Sequence, residues 1–237
     1  MRPKLDALHH AAVPIQISIE DLVIYGDLEV PFNAIGSVIF IHGSGSSRFS
    51  SRNQYVAEEL NKRRLATLLL DLLTEDEHEI DEETRQYRFD IPLLAHRSTL
   101  ATNWLLTQAT MRQLPIGLFG ASTGAAAALI TAASMKQRIA AIVSRGGRPD
   151  LAEEALNEVE SPTLLIVGGD DNTVVSLNKK AISRMHCLTK LHIVPGATHL
   201  FEEPGALEQV ATVAGDWFVQ CMSSRASHSG QKATGGR

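Results

Sequence analysis

The sequence predicts an α/β domain built on a largely parallel sheet. Three observations lead there. Short β-type runs alternate with segments of helical character. Most of those runs are continuously apolar, as strands covered on both faces are. A tight Gly120-Ala121-Ser122-Thr123-Gly124 turn joins one of them to an Ala-rich helix. In chain order, residues 13–19 and 22–30 read as an opening hairpin bent near Glu20-Asp21. Residues 37–41, SVIFI, read as the first fully buried strand, and 65–73, 116–119, 140–143, 163–167 and 190–194 read the same way. Helices are expected over 52–64, 93–110, 122–135, 149–157, 177–185 and 204–222. In the last of these, Leu207, Val210, Ala211, Ala214, Trp217 and Phe218 recur at helical spacing, which marks a core-facing stripe. There is no internal repeat and no interior linker, so residues 1–222 read as a single domain. Residues 223–237 carry no periodicity and no large apolar side chain, and a disordered tail is expected.

Composition bounds the function. The 237 residues are 44% hydrophobic and 21% charged, as in an ordinary globular protein. No apolar run approaches the ~18 residues that span a bilayer. Residues 1–10 are charged and lack an apolar core, so no secretory signal is expected. Cys187 and Cys221 stand near neither a CxxC nor a His cluster, which fits no zinc site or disulfide framework and suits a reducing cytoplasm. The net charge is −5, yet residues 75–83 alone hold seven acidic side chains. The rest of the chain is therefore slightly basic, with the acid gathered in one segment. No basic face is evident and aromatics are 5%, which weighs against nucleic-acid partners. No membrane partner is expected, and no heptad or apolar patch specifies an oligomeric state.

Three positions carry chemistry. GASTG follows a strand and opens a helix, the context in which GxSxG forms a nucleophile elbow. Only small residues fit beside so tight a turn, and the helix N-terminus favours negative charge developing at Ser122. The alternative is a Gly-rich turn with Ser122 as a simple helix cap. A serine needs a base to take its proton, with an acid behind it in the order Ser, Asp, His. The strand at 163–167 ends in Gly168-Gly169-Asp170-Asp171, and the strand at 190–194 ends in Pro195-Gly196-Ala197-Thr198-His199. Either aspartate could be a turn residue and His199 a surface histidine. Three candidates in order, each at a strand end, favour a triad. An oxyanion hole needs a second backbone N–H from an earlier loop, and His42-Gly43-Ser44-Gly45-Ser46-Ser47-Arg48 supplies one. The N–H groups of Ser44 and Thr123 are the expected pair. The same loop fits no phosphate-binding fingerprint: it lacks GK[ST], and Arg48 stands where GxGxxG needs its last glycine.

Together HGSGSS, GASTG, GGDDNTV and PGATHLFEEPGAL resemble the dienelactone hydrolase-like branch of the α/β-hydrolases, from about residue 13 to about residue 222. The resemblance implies an eight-stranded sheet without a large lid, Ser122 as nucleophile, Asp171 as acid and His199 as base. Asp171 is preferred to Asp170 because the family pattern G-x-x-D-x-x-V is met by Gly168, Asp171 and Val174. Dienelactone hydrolases proper use a cysteine nucleophile. Ser122 instead points to a serine esterase acting on a small carboxylic ester, lactone or thioester through an acyl-serine intermediate, with no metal or organic cofactor. An acyltransferase on the same triad and a non-catalytic scaffold are the alternatives.

Around this centre, His42, Gly43, Arg48 and Arg52 are candidates for substrate binding. Arg48 and Arg52 could hold a carboxylate, and His42 could support the loop from behind. Residues 74–90 follow a strand into the same sheet end. They read as a solvated acidic loop or, alternatively, a rim over the pocket, with Arg85, Tyr87, Arg88 and Phe89 within reach of substrate. Acid at that position would disfavour anionic substrates.

Overall fold

All eight expected strands form and lie in one sheet in the order β1-β2-β4-β3-β5-β6-β7-β8. They are β1 (Val13–Ile19), β2 (Leu22–Glu29), β3 (Gly36–Ile41), β4 (Leu65–Leu70), β5 (Ile116–Ala121), β6 (Ile139–Arg145), β7 (Thr163–Gly168) and β8 (Thr189–Val194). The computed structural model describes residues 11–19 and 22–232, with side chains described through Ser224. His9, His10, the bend at Glu20-Asp21 and residues 233–237 lie outside the described residues. β2 runs antiparallel to both β1 and β4, and every other pairing is parallel.

Parallel strands need crossovers, and the helices supply them on both faces. These are α1 (Ser51–Lys62), α2 (Glu75–Thr84), α3 (Ile91–Thr107), α4 (Thr123–Met135), α5 (Asn172–Ile182) and α6 (Ala206–Lys232). Every residue of β3, β4, β5 and β7 is buried, which is why those runs read as unbroken apolar stretches. One core layer packs Ile39, Ile41, Leu68 and Leu118 against α3 and α4. The other packs Val38, Phe40, Phe119 and Val143 against α1 and α6, with the Phe40 and Phe119 rings 4.7 Å apart. That pair contributes about 0.5–1.5 kcal/mol beyond its buried area. The stripe expected on α6 is in this second layer, with Val210, Ala214 and Phe218 fully buried.

The structure departs from the sequence reading in four places. α5 runs from Asn172 to Ile182 and so starts five residues earlier than the expected 177, because Asp171 caps it. Residues 75–84 are a helix, not a loop. The segment Pro149–Glu158 is a 3-10 stretch broken at Glu153, where φ is 47°, rather than a regular helix. Beyond Met222, where the domain and its last helix were expected to end, α6 continues to Lys232. Once a helix is nucleated, each added residue gains a hydrogen bond, so helix propagates into a segment with no core-facing stripe of its own. Among the described residues, no helix is long and apolar enough to cross a membrane.

Candidate active site

β5 delivers Ser122 to the carboxyl edge of the sheet. Ser122 has φ 50° and ψ −122°, a strained conformation for an L residue that costs about 1–3 kcal/mol. Hydrogen bonds hold it there. Its N–H donates to the Arg145 carbonyl (3.1 Å), and its own carbonyl accepts from the N–H groups of Ala125 (3.1 Å) and Arg148 (3.0 Å). A Cβ at Gly124 would fall 2.2 Å from the Ile41 carbonyl oxygen, so only glycine lets α4 approach the end of β3. The Ser122 hydroxyl makes no capping hydrogen bond. The simple helix-cap reading therefore fails, and the side chain is left for other work.

Asp171 and His199 meet. The His199 Nδ1 lies 2.7 Å from Asp171 Oδ2. Asp171 is also the N-cap of α5, its Oδ1 accepting from the Val174 N–H at 3.3 Å, so the helix start fixes the carboxylate that faces the ring. Asp170 is exposed, and its backbone N–H is bound to the Ala197 carbonyl. Its side chain takes no part in the His199 bond. The segment 145–148 runs between Ser122 and His199: beyond the Arg145 and Arg148 bonds to Ser122, an added Cβ at Gly146 would lie 3.5 Å from His199 Cε1.

The loop after β3 closes on the other side of the nucleophile. A Cβ at Gly43 would stand 2.8 Å from the Ser122 Cβ, so this loop is laid directly against the elbow. The Ser44 N–H, expected to be open, donates to the Thr123 Oγ1 at 2.9 Å. Thr123 is the first residue of α4, where the backbone N–H has no partner within the helix. His42 is buried and bonded at both ring nitrogens. Its Nδ1 lies 2.9 Å from the Gly43 carbonyl, and its Nε2 accepts from the Leu72 N–H at 3.1 Å. Burial lowers its pKa, against the raising effect of the Gly43 bond, so the ring is held neutral and ties the end of β3 to the end of β4.

The candidate substrate cations are engaged. Arg48 is bonded through its guanidinium to Asp71 and lies 3.4 Å from the Asp27 carboxylate, with its backbone N–H on Asp71 at 2.8 Å. Two carboxylates on one guanidinium leave the cluster net negative with no spare positive charge, so the expectation that Arg48 takes a substrate carboxylate is not met in this arrangement. Arg52 pairs with Glu202 at 3.2 Å. Beside the loop is a cavity of about 300 Å³ lined by His42, Ser46, Phe49, Leu73, Glu75 and Glu79, among others.

α2 forms one wall of that cavity and is anchored by two of its own acids. Thr74 and Glu77 form a capping box, with mutual bonds of 3.3 and 2.9 Å. Arg97, 3% exposed, donates to both Glu77 oxygens at 2.5 Å and to the Leu72 carbonyl at 2.7 Å. Asp81, 1% exposed, accepts from the Tyr87 and Arg88 N–H groups and from the Arg88 Nε at 2.6 Å. Burial would raise both carboxyl pKa values. The hydrogen bonds from Arg97 and Thr74, and from Arg88 and Tyr87, outweigh it and hold both below the usual range. Arg88 in turn reaches the loop after β3, since a Cβ at Gly45 would sit 3.3 Å from its Nη1. The acidic segment is thus part of the site's framework. Its sequence signal was the T-x-x-E pattern of Thr74 and Glu77 rather than any apolar stripe. Among the described residues, no group of three or more His, Cys, Asp or Glu is placed to hold a metal ion.

A strand-elbow-helix serine, a paired aspartate and histidine on later strand ends, and this strand order define an α/β-hydrolase fold. Residues 55–222 match the dienelactone hydrolase family model, and the chain belongs to that family. A dienelactone hydrolase from Anabaena variabilis is similar in structure, with a TM-score of 0.87 at 50% identity over 90% of this chain and 99% of that one. Est1E from Butyrivibrio proteoclasticus, solved with ferulic acid bound, shares the fold at 16% identity, with a TM-score of 0.76 over 88% of this chain and 99% of that one. Two curated proteins, from two strains of Mycobacterium tuberculosis, are 53% identical over 205 residues and are named "Putative phosphoribosyl transferase". The match covers 86% of this chain but 45% of theirs, so the chain spans less than half the length of the curated relatives.

Proposed function

We propose that this protein is a serine hydrolase that cleaves a small carboxylic ester, lactone or thioester. The observation that carries the reading is the 2.7 Å bond between Asp171 Oδ2 and His199 Nδ1, set across the 145–148 segment from a strained, uncapped Ser122. Asp171 holds the imidazole with Nε2 free to act as base. His199 takes the Ser122 proton as Oγ attacks the acyl carbonyl. The Thr123 N–H and the helix start behind it stabilise the oxyanion. The Ser44 N–H joins them when the Thr123 hydroxyl that now accepts it turns aside. The leaving group takes the proton from His199, and water then attacks the acyl-Ser122 with His199 again as base.

The 50% identical Anabaena dienelactone hydrolase supports hydrolysis. The name of the mycobacterial relatives belongs to proteins of which the matched stretch is 45%, and that stretch is the hydrolase-family part. Cys187 and Cys221, both unpaired, suit a cytoplasmic setting. Labelling with a fluorophosphonate, followed by mass spectrometry, tests the mechanism. An adduct on Ser122 that disappears in His199→Ala is expected. Folded protein that takes no label, or takes it elsewhere, overturns the assignment.

A further inference from the structure

Arg145 is the last residue of β6, one residue before the glycine that abuts the His199 ring. Its guanidinium carbon lies 5.9 Å from the Phe119 ring centroid, on the sheet face that also carries α1. Its Nη1 is buried with no hydrogen-bond partner, and among the described residues its side chain meets no carboxylate. The other inward arginines are treated differently. Arg97 has Glu77 and the Leu72 carbonyl, and Arg88 has Asp81. The charge that acts on Arg145 is instead another cation, Arg52, whose Nε is also buried and unpartnered. Burial first, and Arg52 second, push the Arg145 pKa down to about 10. A guanidinium buried without a counter-charge is unfavourable, and a neighbouring cation makes it more so, even though Arg52 keeps Glu202 on its Nη1, unless an anion completes the set. The planar fork of arginine fits the oxygens of a carboxylate or phosphate.

We propose that Arg145 and Arg52 form an anion subsite on the β6 side of the triad, which takes a carboxylate or phosphate group. Its position ties it to the reaction centre. The Arg145 carbonyl holds the Ser122 N–H, and Glu202, the residue that competes for Arg52, follows His199 by three positions. The cavity on the opposite, β4 side is walled by Glu75 and Glu79 and repels anions. The two sides together orient a ligand with its anionic end towards β6 and its neutral portion towards α2. That the anion is part of the acyl substrate rests on the serine-hydrolase reading. That an anion binds between these arginines does not.

Titration calorimetry at low ionic strength, with inorganic phosphate and with acetate as probes, separates the two sources. Saturable binding is expected for at least one. Binding of phosphate alone assigns the site to a phosphate, and binding of both assigns it to oxyanions generally. Affinity falls at least tenfold in Arg145→Gln and in Arg52→Gln, and rises in Glu202→Gln, which frees Arg52. Without anion, Arg145→Met melts no lower than the parent, because the removed charge had no partner. With 4-nitrophenyl succinate and 4-nitrophenyl butyrate, the ratio of kcat/KM values favours the charged ester and falls at least tenfold in Arg145→Gln. If neither probe binds, or if both arginine variants bind as tightly as the parent, the proposal is overturned. Binding that depends on Arg145 in a protein that hydrolyses no ester keeps the subsite and removes the hydrolase reading. The Arg52→Gln arm decides the matter should Arg145 variants fail to fold.

Discussion

Changing Glu77 to Gln removes one charge from a buried pair and little else. A glutamine at this position still accepts the Thr74 N–H, so the capping box that starts α2 is retained. What is lost is the counter-charge to Arg97, whose side chain is 3% exposed and sends two 2.5 Å bonds to Glu77. Removing one partner of a fully buried pair costs about 3–5 kcal/mol. Glu77 is 18% exposed, so water recovers part of that, and a loss of about 2–4 kcal/mol is expected. For a domain of this size that lowers Tm by roughly 5–15 °C. Urea unfolding should show the same loss as a lower midpoint at unchanged slope. The pH dependence has a definite sign. The folded Glu77 carboxyl titrates below its ordinary value of 4.5, so its contribution is fully present above that value. The contribution is lost as pH falls through the folded value, so the two proteins converge in stability at acid pH. Glu77→Gln combined with Arg97→Met should recover most of the loss, because no charge is then buried alone and the acceptor for the Thr74 N–H is kept. A stability change under about 0.5 kcal/mol at pH 7, or curves that stay parallel into acid, would refute the reasoning that α2 is held by this pair.

Two further outcomes concern the reaction centre. Asp171→Asn should lower kcat by about 10⁴-fold on any ester the protein turns over, since the imidazole loses its orienting acceptor. Stability should move by no more than about 0.5 kcal/mol, because asparagine caps α5 nearly as well; steady-state kinetics and thermal melts read the two separately. Gly43→Ala places a Cβ 2.8 Å from both the Ser122 Cβ and the Ala121 carbonyl oxygen. Gly43 is buried and the atoms it would meet are backbone and a Cβ, so the loop must move off the elbow; activity should fall by about 10²-fold, and the melting temperature should fall with it.

The sheet was legible because its inner strands are covered by helices on both faces and so must be apolar throughout. The strand positions at 13–19 and 163–167 agree with β1 and β7 to within a residue. Ser122, Asp171 and His199 were legible for another reason. Each lies at the carboxyl end of a strand, so finding the strands located the residues. α2 was missed because it buries carboxylates against arginines instead of presenting an apolar stripe. Glu77 and Asp81 look solvated until Arg97 and Arg88 are seen beside them. The state of Arg48 and Arg145 is tertiary in the same sense. Nothing in sequence spacing tells that Asp27 and Asp71 hold the first while the second meets no acid among the described residues.

The pairing of Arg48 with Asp27 and Asp71 bears on how this protein can be dissected. Asp27 belongs to the edge hairpin, far along the chain from the elbow, yet it braces the loop laid on Ser122. The family-matched stretch begins at residue 55, after β3. A fragment cut at that boundary would lack the strand that joins β4 to β5, together with the HGSGSS loop and one of the two acids that steady it. The hairpin β1-β2 is therefore structural support for the reaction centre as well as core, and trimming it should impair turnover while it uncovers the partners of Ile17 and Ile24.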